Sequence, residues 1–173
     1  MKKLEDYVIS IPDFPKEGII FRDVTGITHN GEAFKMAIDG LIEGLKGLDF
    51  DLIGGTEARG FVFGAPVAYA LGKPFVLFRK PGKLPREVIS QEYSLEYGTA
   101  TIECHKDAIE KGQKVVIIDD LLATGGTVAA SAKLVEKLGG EVVKVEFVLE
   151  LAGLEGRKQF NCPVESLVIY PGK

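Results

Sequence analysis

VVIIDDLLATGGT, residues 115–127, carries three kinds of information in one short run. Val115 to Ile118 are β-branched at every position, the pattern of a strand buried on both faces. Asp119 and Asp120 follow, and Leu121 and Leu122 then lead into the small-residue turn Ala123, Thr124, Gly125, Gly126 and Thr127. Such a turn can wrap its backbone N–H groups around an anion, with two hydroxyls as further donors and a helix N-terminus behind it. The dipole supplies only about 0.3–1 kcal/mol per charge at an exposed site, so hydrogen bonds must carry most of any binding. Taken alone, ATGGT suits a tight strand-to-helix turn equally well. The two acids change the weighting, because carboxylates at the end of a buried strand are costly unless donors or cations meet them. A carboxylate also accepts from sugar hydroxyls. Acids and turn can therefore hold the two halves of one sugar phosphate. GxxxxGK[ST] and GxGxxG are both absent, which excludes a Walker A loop and a dinucleotide fingerprint.

Working outward, short apolar runs alternate with amphipathic segments. Phe34, Ile38, Leu41, Ile42 and Leu45 recur at helical spacing and predict a helix at about 33–46. Strands are expected at 52–55, 75–78, 115–118, 142–151 and 164–170. Further helices are expected at 60–71, closed by Gly72, and at 127–138, ended by Gly139 and Gly140. This alternation implies an α/β fold with a mostly parallel central sheet covered by helices on both faces. Ligands of such sheets bind beyond the carboxyl ends of the strands. Three turns converge on that rim: GGTEARG, RKPGKLP and DDLLATGGT. The segment at 87–104 alternates polar and apolar residues around Tyr97 and Gly98, predicting an antiparallel hairpin or long arm that could act as a lid.

The length of 173 residues suits one domain. Hydrophobic residues make up 46% and charged residues 27%, which places the chain among globular proteins. A net charge of −4, with no basic block longer than two residues, argues against nucleic acid as the main partner. Cys104 and Cys162 form no CxxC, so a reduced, cytoplasmic setting is expected. The N-terminus lacks the apolar run of a signal peptide, and no apolar stretch approaches the roughly 20 residues of a membrane span. His29 and His105 have no metal-ligand spacing around them.

VVIIDDLLATGGT resembles the phosphoribosyl-pyrophosphate (PRPP) motif of type I phosphoribosyltransferases. The resemblance implies that residues 123–127 hold the ribose 5′-phosphate and that Asp119 and Asp120 hold the 2′- and 3′-hydroxyls. It also implies a single domain over 1–173, with about 1–32 contributing a base-binding hood and about 84–104 a flexible lid. PDFPKEGIIFRDVT at 12–25, GTEARGFVFGAPVA at 55–68, RKPGKLP at 79–85 and QEYSLEYG at 91–98 together resemble the adenine-specific branch of that family, in order, from about residue 7 to residue 157. The reaction this implies is adenine plus PRPP giving AMP plus pyrophosphate.

Each segment keeps a plainer reading beside the implied one. Phe21 could stack on a purine or be core. The resemblance sets it on one face of the base and Leu121 on the other, with backbone groups of Ile20 and Arg22 at the base edge. Arg59 could fork onto pyrophosphate or pair with Glu57 on the surface. The resemblance favours pyrophosphate for the Glu57–Ala58–Arg59 turn. Arg79, Lys80 and Lys83 form either a solvated basic turn or, with Arg59, the cations for a leaving pyrophosphate; Lys83 is the foremost lysine. Glu96, on the lid, is implied as the proton-transfer residue, with Arg59 and Lys83 as its catalytic companions. Arg86 could touch pyrophosphate or face water. Mg²⁺ is implied on the substrate near Asp119 and Asp120, with no ion held strongly by protein groups alone. A homodimer is implied, and neither nucleic acid nor membrane is expected as partner. Hypoxanthine-guanine, xanthine or orotate transferases share the PRPP loop, and a non-catalytic PRPP sensor could keep the same fold. An orotate enzyme would carry a more basic lid than QEYSLEYG, and a sensor would have no use for Glu96.

Overall fold

The computed structural model describes residues 1–95 and 97–173. After a 3-10 turn at Leu4–Tyr7 come β1 (Ile9–Pro12), β2 (Ile20–Asp23), a single helical turn α1 (Thr25–Thr28) and helix α2 (Gly31–Glu43). Then follow β3 (Leu52–Thr56), α3 (Arg59–Leu71), β4 (Phe75–Phe78), β5 (Val88–Leu95), β6 (Gly98–His105) and β7 (Lys114–Leu122). The chain continues as α4 (Gly126–Lys137), β8 (Glu141–Leu151), 3-10 turns at Ala152–Leu154 and Gly156–Gln159, and β9 (Val164–Tyr170).

Five strands form one sheet in the order β4-β3-β7-β8-β9, and every pair in it is parallel. The branched run Val115–Ile118 sits at its centre, fully buried. Its side chains alternate between two cores. Val116 and Ile118 pack with Ala37 and Leu41 of α2 and with Phe63 and Val67 of α3. Val115 and Ile117 pack with Val128, Leu134 and Val135 of α4. Helices thus cover both faces, as a sheet of near-continuous apolar strands demands. The order of the strands reverses between β3 and β7, and that switch point opens a crevice at their carboxyl ends.

Two predicted boundaries move for identifiable reasons. The helix expected at about 33–46 begins at Gly31, because the Asn30 side chain accepts the Ala33 N–H at 2.9 Å and caps it. It ends at Glu43, and Leu45 stays buried in the turn beyond. The strand expected to stop at Ile118 runs through both acids to Leu122. Continued pairing with β8, from Asp119 opposite Phe147 to Leu122 opposite Glu150, holds it extended. The expected hairpin is present. β5 and β6 pair antiparallel from Val88 opposite His105 to Leu95 opposite Gly98. It lies against α4, and the basic turn is tied to it where Arg79 and Glu103 exchange backbone hydrogen bonds of 2.9 and 2.7 Å.

The N-terminal strands β1 and β2 form a separate antiparallel pair. Asp23 fixes its exit by accepting from both the N–H and the hydroxyl of Thr25, at 2.9 and 2.8 Å. These two bonds draw the Asp23 carboxyl below its ordinary pKa. Among the described residues no helix is long and apolar enough to cross a membrane.

Candidate active site

Three of the groups singled out in the sequence meet at the switch point. β3 ends at Thr56, and the next residues turn directly into α3, whose first residue is Arg59. β7, paired beside β3, delivers Asp119 and Asp120 to the same end of the sheet. Arg59 Nε lies 2.8 Å from Asp120 Oδ2, with Asp120 almost fully buried and Arg59 half exposed. The expected alternative of an Arg59–Glu57 surface pair is corrected here. Glu57 Oε1 instead accepts from Arg79 Nε at 3.3 Å and from the Lys80 N–H at 2.6 Å. The guanidinium of Arg79 also lies over the Phe61 ring, 5.9 Å from its centroid. The Glu57–Ala58 peptide is cis, and Ala58 is exposed at the N-cap of α3.

Asp119, beside Asp120, is half-buried. Its Oδ1 accepts from the Asp120 N–H at 2.8 Å. A β-carbon at Gly60 would stand 2.7 Å from the same oxygen, so the first turn of α3 reaches the acid only because residue 60 is glycine. Burial first, and then the neighbouring Asp120 charge, push the Asp119 carboxyl well above the ordinary carboxylate range. A carboxylate so placed gains from a cation or a hydroxyl donor brought by a ligand.

Ala123 to Thr127 curl round a small cavity of about 110 Å³, which Asp119, Leu121 and Phe147 also line. That space is below the 300–1,000 Å³ of an ordinary small-molecule pocket. It suits one anionic group, with the rest of a ligand lying across the open rim. Gly125, at φ +83°, is the N-cap of α4 and supplies the left-handed residue this turn requires. The helix points its N-terminus into the cavity.

The remaining predicted residues surround this centre. Ile20 is exposed on β2, and Phe21 is half-buried with its ring packed edge-on against Phe14, centroids 5.3 Å apart. Phe21 joins neither buried core, so the core reading of it does not hold. Arg22 donates to Ser10 Oγ at 2.5 Å and lies over the Tyr170 ring at 4.1 Å, fastening the N-terminal strand pair to β9. Leu121 is half-buried against the α2 and α3 side of the sheet. Lys83 is exposed on the basic turn. Arg86 pairs with Asp107 at 3.1 Å, away from the acids. Glu96 lies outside the described residues.

Sequence reasoning missed the bracing of the anion loop. The 3-10 turn Gly156–Gln159 lies against it: a β-carbon at Gly156 would meet the Ala123 carbonyl oxygen at 2.4 Å. Arg157 fixes that turn with bonds of 2.7 and 2.8 Å to the buried Glu150 carboxylate and 2.7 Å to the Val164 carbonyl. No spacing around Arg157 announces this, because its partners are brought near by sheet pairing alone.

A family model for the phosphoribosyl transferase domain matches residues 25–164. An adenine phosphoribosyltransferase of Butyrivibrio fibrisolvens is 61% identical over 173 residues, spanning 100% of this chain and 96% of the relative. One of Thermotoga petrophila is 53% identical over 168 residues, spanning 96% and 99%. The crystal structure of the adenine phosphoribosyltransferase of Thermoanaerobacter pseudethanolicus superposes with a TM-score of 0.93 at 54% identity, covering 97% of this chain and 100% of that one. The Saccharomyces cerevisiae enzyme, complexed with an imino-altritol bisphosphate and adenine, gives 0.89 at 43% identity, covering 95% and 96%. With both its anion loop and its whole length matched in this way, the chain belongs to the phosphoribosyltransferase family, in its adenine phosphoribosyltransferase branch.

Proposed function

We propose that the chain transfers the 5-phosphoribosyl group of PRPP to adenine, giving AMP and pyrophosphate, a purine-salvage reaction. The observation that carries this reading is the joining of two acids and a small-residue anion loop in one crevice at the sheet's switch point. In the reaction the bond from ribose C1 to the pyrophosphate oxygen breaks, the bond from adenine N9 to C1 forms, and the N9 proton leaves. The loop 123–127 holds the 5′-phosphate through backbone N–H groups and the hydroxyls of Thr124 and Thr127. Asp119 and Asp120 accept from the ribose hydroxyls and favour the positive charge that develops at the ring. Arg59, with Arg79 and Lys83 of the basic turn, faces the departing pyrophosphate, and Glu57 and Ala58 shape that turn. For Arg59 this means exchanging Asp120 for substrate oxygens as PRPP binds.

Phe21 and Leu121 sandwich the base, while the backbones of Ile20 and Arg22 read its edge. Glu96 takes the N9 proton. Closure of the hairpin keeps water from the ring, where it would hydrolyse the same centre. Asp119 and Asp120 are hard oxygen donors suited to Mg²⁺, and no third carboxylate, His or Cys joins them among the described residues. Mg²⁺ bound with PRPP would supply charge neutralisation on the pyrophosphate, riding mainly on substrate oxygens.

Homodimerisation is supported by an apolar stripe on α3. Val62 and Tyr69 are 42% and 91% exposed. Two free thiols, with Cys104 fully buried and pushed up to about 12 by burial, agree with a reducing, cytoplasmic setting. The deciding experiment offers PRPP with adenine, hypoxanthine, guanine and orotate separately and reads nucleotide formation. Turnover with adenine is expected to exceed the others by at least about 10²-fold, because a site built to pair with base-edge donors rejects analogues lacking them. Absence of AMP formation overturns the reading, and preferred turnover of an oxo-purine transfers it to the hypoxanthine-guanine branch.

A further inference from the structure

Tyr93 lies in QEYSLEYG but has no part in the PRPP motif or in the reaction above, yet it reaches the anion loop from outside. It lies on β5, and its ring packs against the core formed by α4 and the sheet. Its hydroxyl oxygen lies 3.1 Å from Thr127 Oγ1. The ring edge closes on Gly126: a β-carbon there would stand 3.3 Å from Tyr93 Cδ2. Farther along the same strand, Lys137 at the end of α4 donates to the Ser90 carbonyl at 3.4 Å. The hairpin is thus moored along α4 at two points, and one mooring is a hydroxyl of the anion loop itself.

A threonine hydroxyl has one proton and can accept two bonds. With no anion present, that proton can go to Tyr93. Once a phosphate oxygen enters the cavity, the proton is needed there, and the Tyr93 hydroxyl can donate in return to the Thr127 oxygen. The chain of bonds then runs from Tyr93 O–H to Thr127 Oγ1, and from Thr127 O–H to phosphate. Each bond polarises the next, and the Thr127 side chain is held in the one rotamer that aims at the anion.

We propose that Tyr93 is a positioning residue for the sugar phosphate, acting through Thr127, and that it ties the seating of the hairpin to occupation of the loop. The proposal rests on the reading of residues 123–127 as the 5′-phosphate seat.

The test uses the parent protein, Tyr93→Phe, Thr127→Val and the double variant, with Thr127→Ser as a hydroxyl-retaining control. Ribose 5-phosphate binding is measured by calorimetry, and KM and kcat by AMP formation. Tyr93→Phe keeps the ring, and its thermal unfolding should match the parent's; Tyr93→Leu replaces it in the comparison should it fail to fold. The expected result is about 3–10-fold weaker binding of ribose 5-phosphate and a matching rise in KM for PRPP, the loss of one ordinary hydrogen bond. The KM for adenine stays unchanged, and kcat stays within about twofold. The effect should persist beside Thr127→Ser and vanish beside Thr127→Val. Unchanged ribose 5-phosphate affinity in Tyr93→Phe, or effects of Tyr93→Phe and Thr127→Val that simply multiply, overturns the coupling and leaves the function intact. A parent protein that binds no ribose 5-phosphate overturns the phosphate seat, and the coupling with it.

Discussion

At the scale of single residues, the two adjacent acids have unequal surroundings. Asp120 is buried against a guanidinium, while Asp119 is half-buried against a glycine and its own neighbour's N–H. Losing the Asp120 charge turns its bond to a ribose hydroxyl from a charge-assisted one of about 1.5–3 kcal/mol into a neutral one of about 0.5–1.5 kcal/mol. Asp120→Asn is therefore expected to weaken PRPP binding by about 3–10-fold. Inorganic phosphate should bind no worse, since less negative charge faces it. Titration of the variant with each ligand checks this, and equal losses for both would place Asp120 in the anion seat rather than beside the sugar. Glu96→Gln removes the proposed proton acceptor, for which general-base catalysis sets the scale: kcat should fall on the order of 10²–10⁴ at saturating PRPP. A loss below about threefold assigns the N9 proton to another group.

Among elements, helix α3 serves two purposes at opposite ends and faces. Its N-terminus carries Arg59 to Asp120, and its outer face exposes Val62, Ala65 and Tyr69 at i, i+3 and i+7 spacing. A stripe of this kind on a surface helix points to a partner surface. Val62→Glu is expected to shift a dimer toward monomer at micromolar concentration while leaving the fold intact. Sedimentation velocity reads the mass, and an unchanged oligomer puts the interface on another face.

The elements also show what the sequence could and could not tell. The helical spacing of α2 and the unbroken branched run of β7 were legible because local periodicity reflects burial directly. The anion loop was legible because a small-residue turn after a buried strand is a local pattern. The Arg59–Asp120 pair was not, because it joins the first residue of α3 to a residue of β7, brought together by a β3–β7 register that only the folded sheet sets. Phe21 gave no sign of whether its ring was core, since a lone aromatic beside a short strand fits either. Tyr93 was hidden for a related reason. Alternation in β5 shows that one side is apolar, without saying that this side meets the N-terminus of α4.

Across the whole molecule, a second acid with stability at stake is Glu146. Glu146 on β8 is 1% exposed, and neither of its carboxylate oxygens has a hydrogen-bond partner. Lys144 stands 3.6 Å away, but its ammonium donates to Glu165 at 2.6 Å and to the Gly44 carbonyl. Burial is the main force on Glu146 and raises its pKa from 4.5 to about 8. The sign follows from proton linkage: between these two values the folded chain holds a proton that the unfolded chain has lost, so stability falls as pH rises. The stabilisation is fully present below the unfolded value and is gone above the folded one. Thermal unfolding at about pH 5.5, 7 and 8.5, at constant ionic strength, should show this decline in the parent. Glu146→Gln keeps the shape without the ionisation and should make it shallower, melting above the parent at the highest pH, with Asp119 supplying the remaining slope. Parallel profiles for the two proteins would locate the pH dependence elsewhere.

The stacking of Arg22 on Tyr170 bears on the order in which the molecule can become active. β2, which carries the residues proposed to read the base, leans on β9, which follows every other described strand in the chain. On a ribosome the early strand pair emerges long before the surface that supports it. It must wait, unsupported, until the far edge of the sheet has been made and docked. The sugar-phosphate seat waits on the same strand, because Arg157, which braces the anion loop, also donates to the Val164 carbonyl of β9. Nascent chains should therefore gain both halves of the site together, when that edge docks.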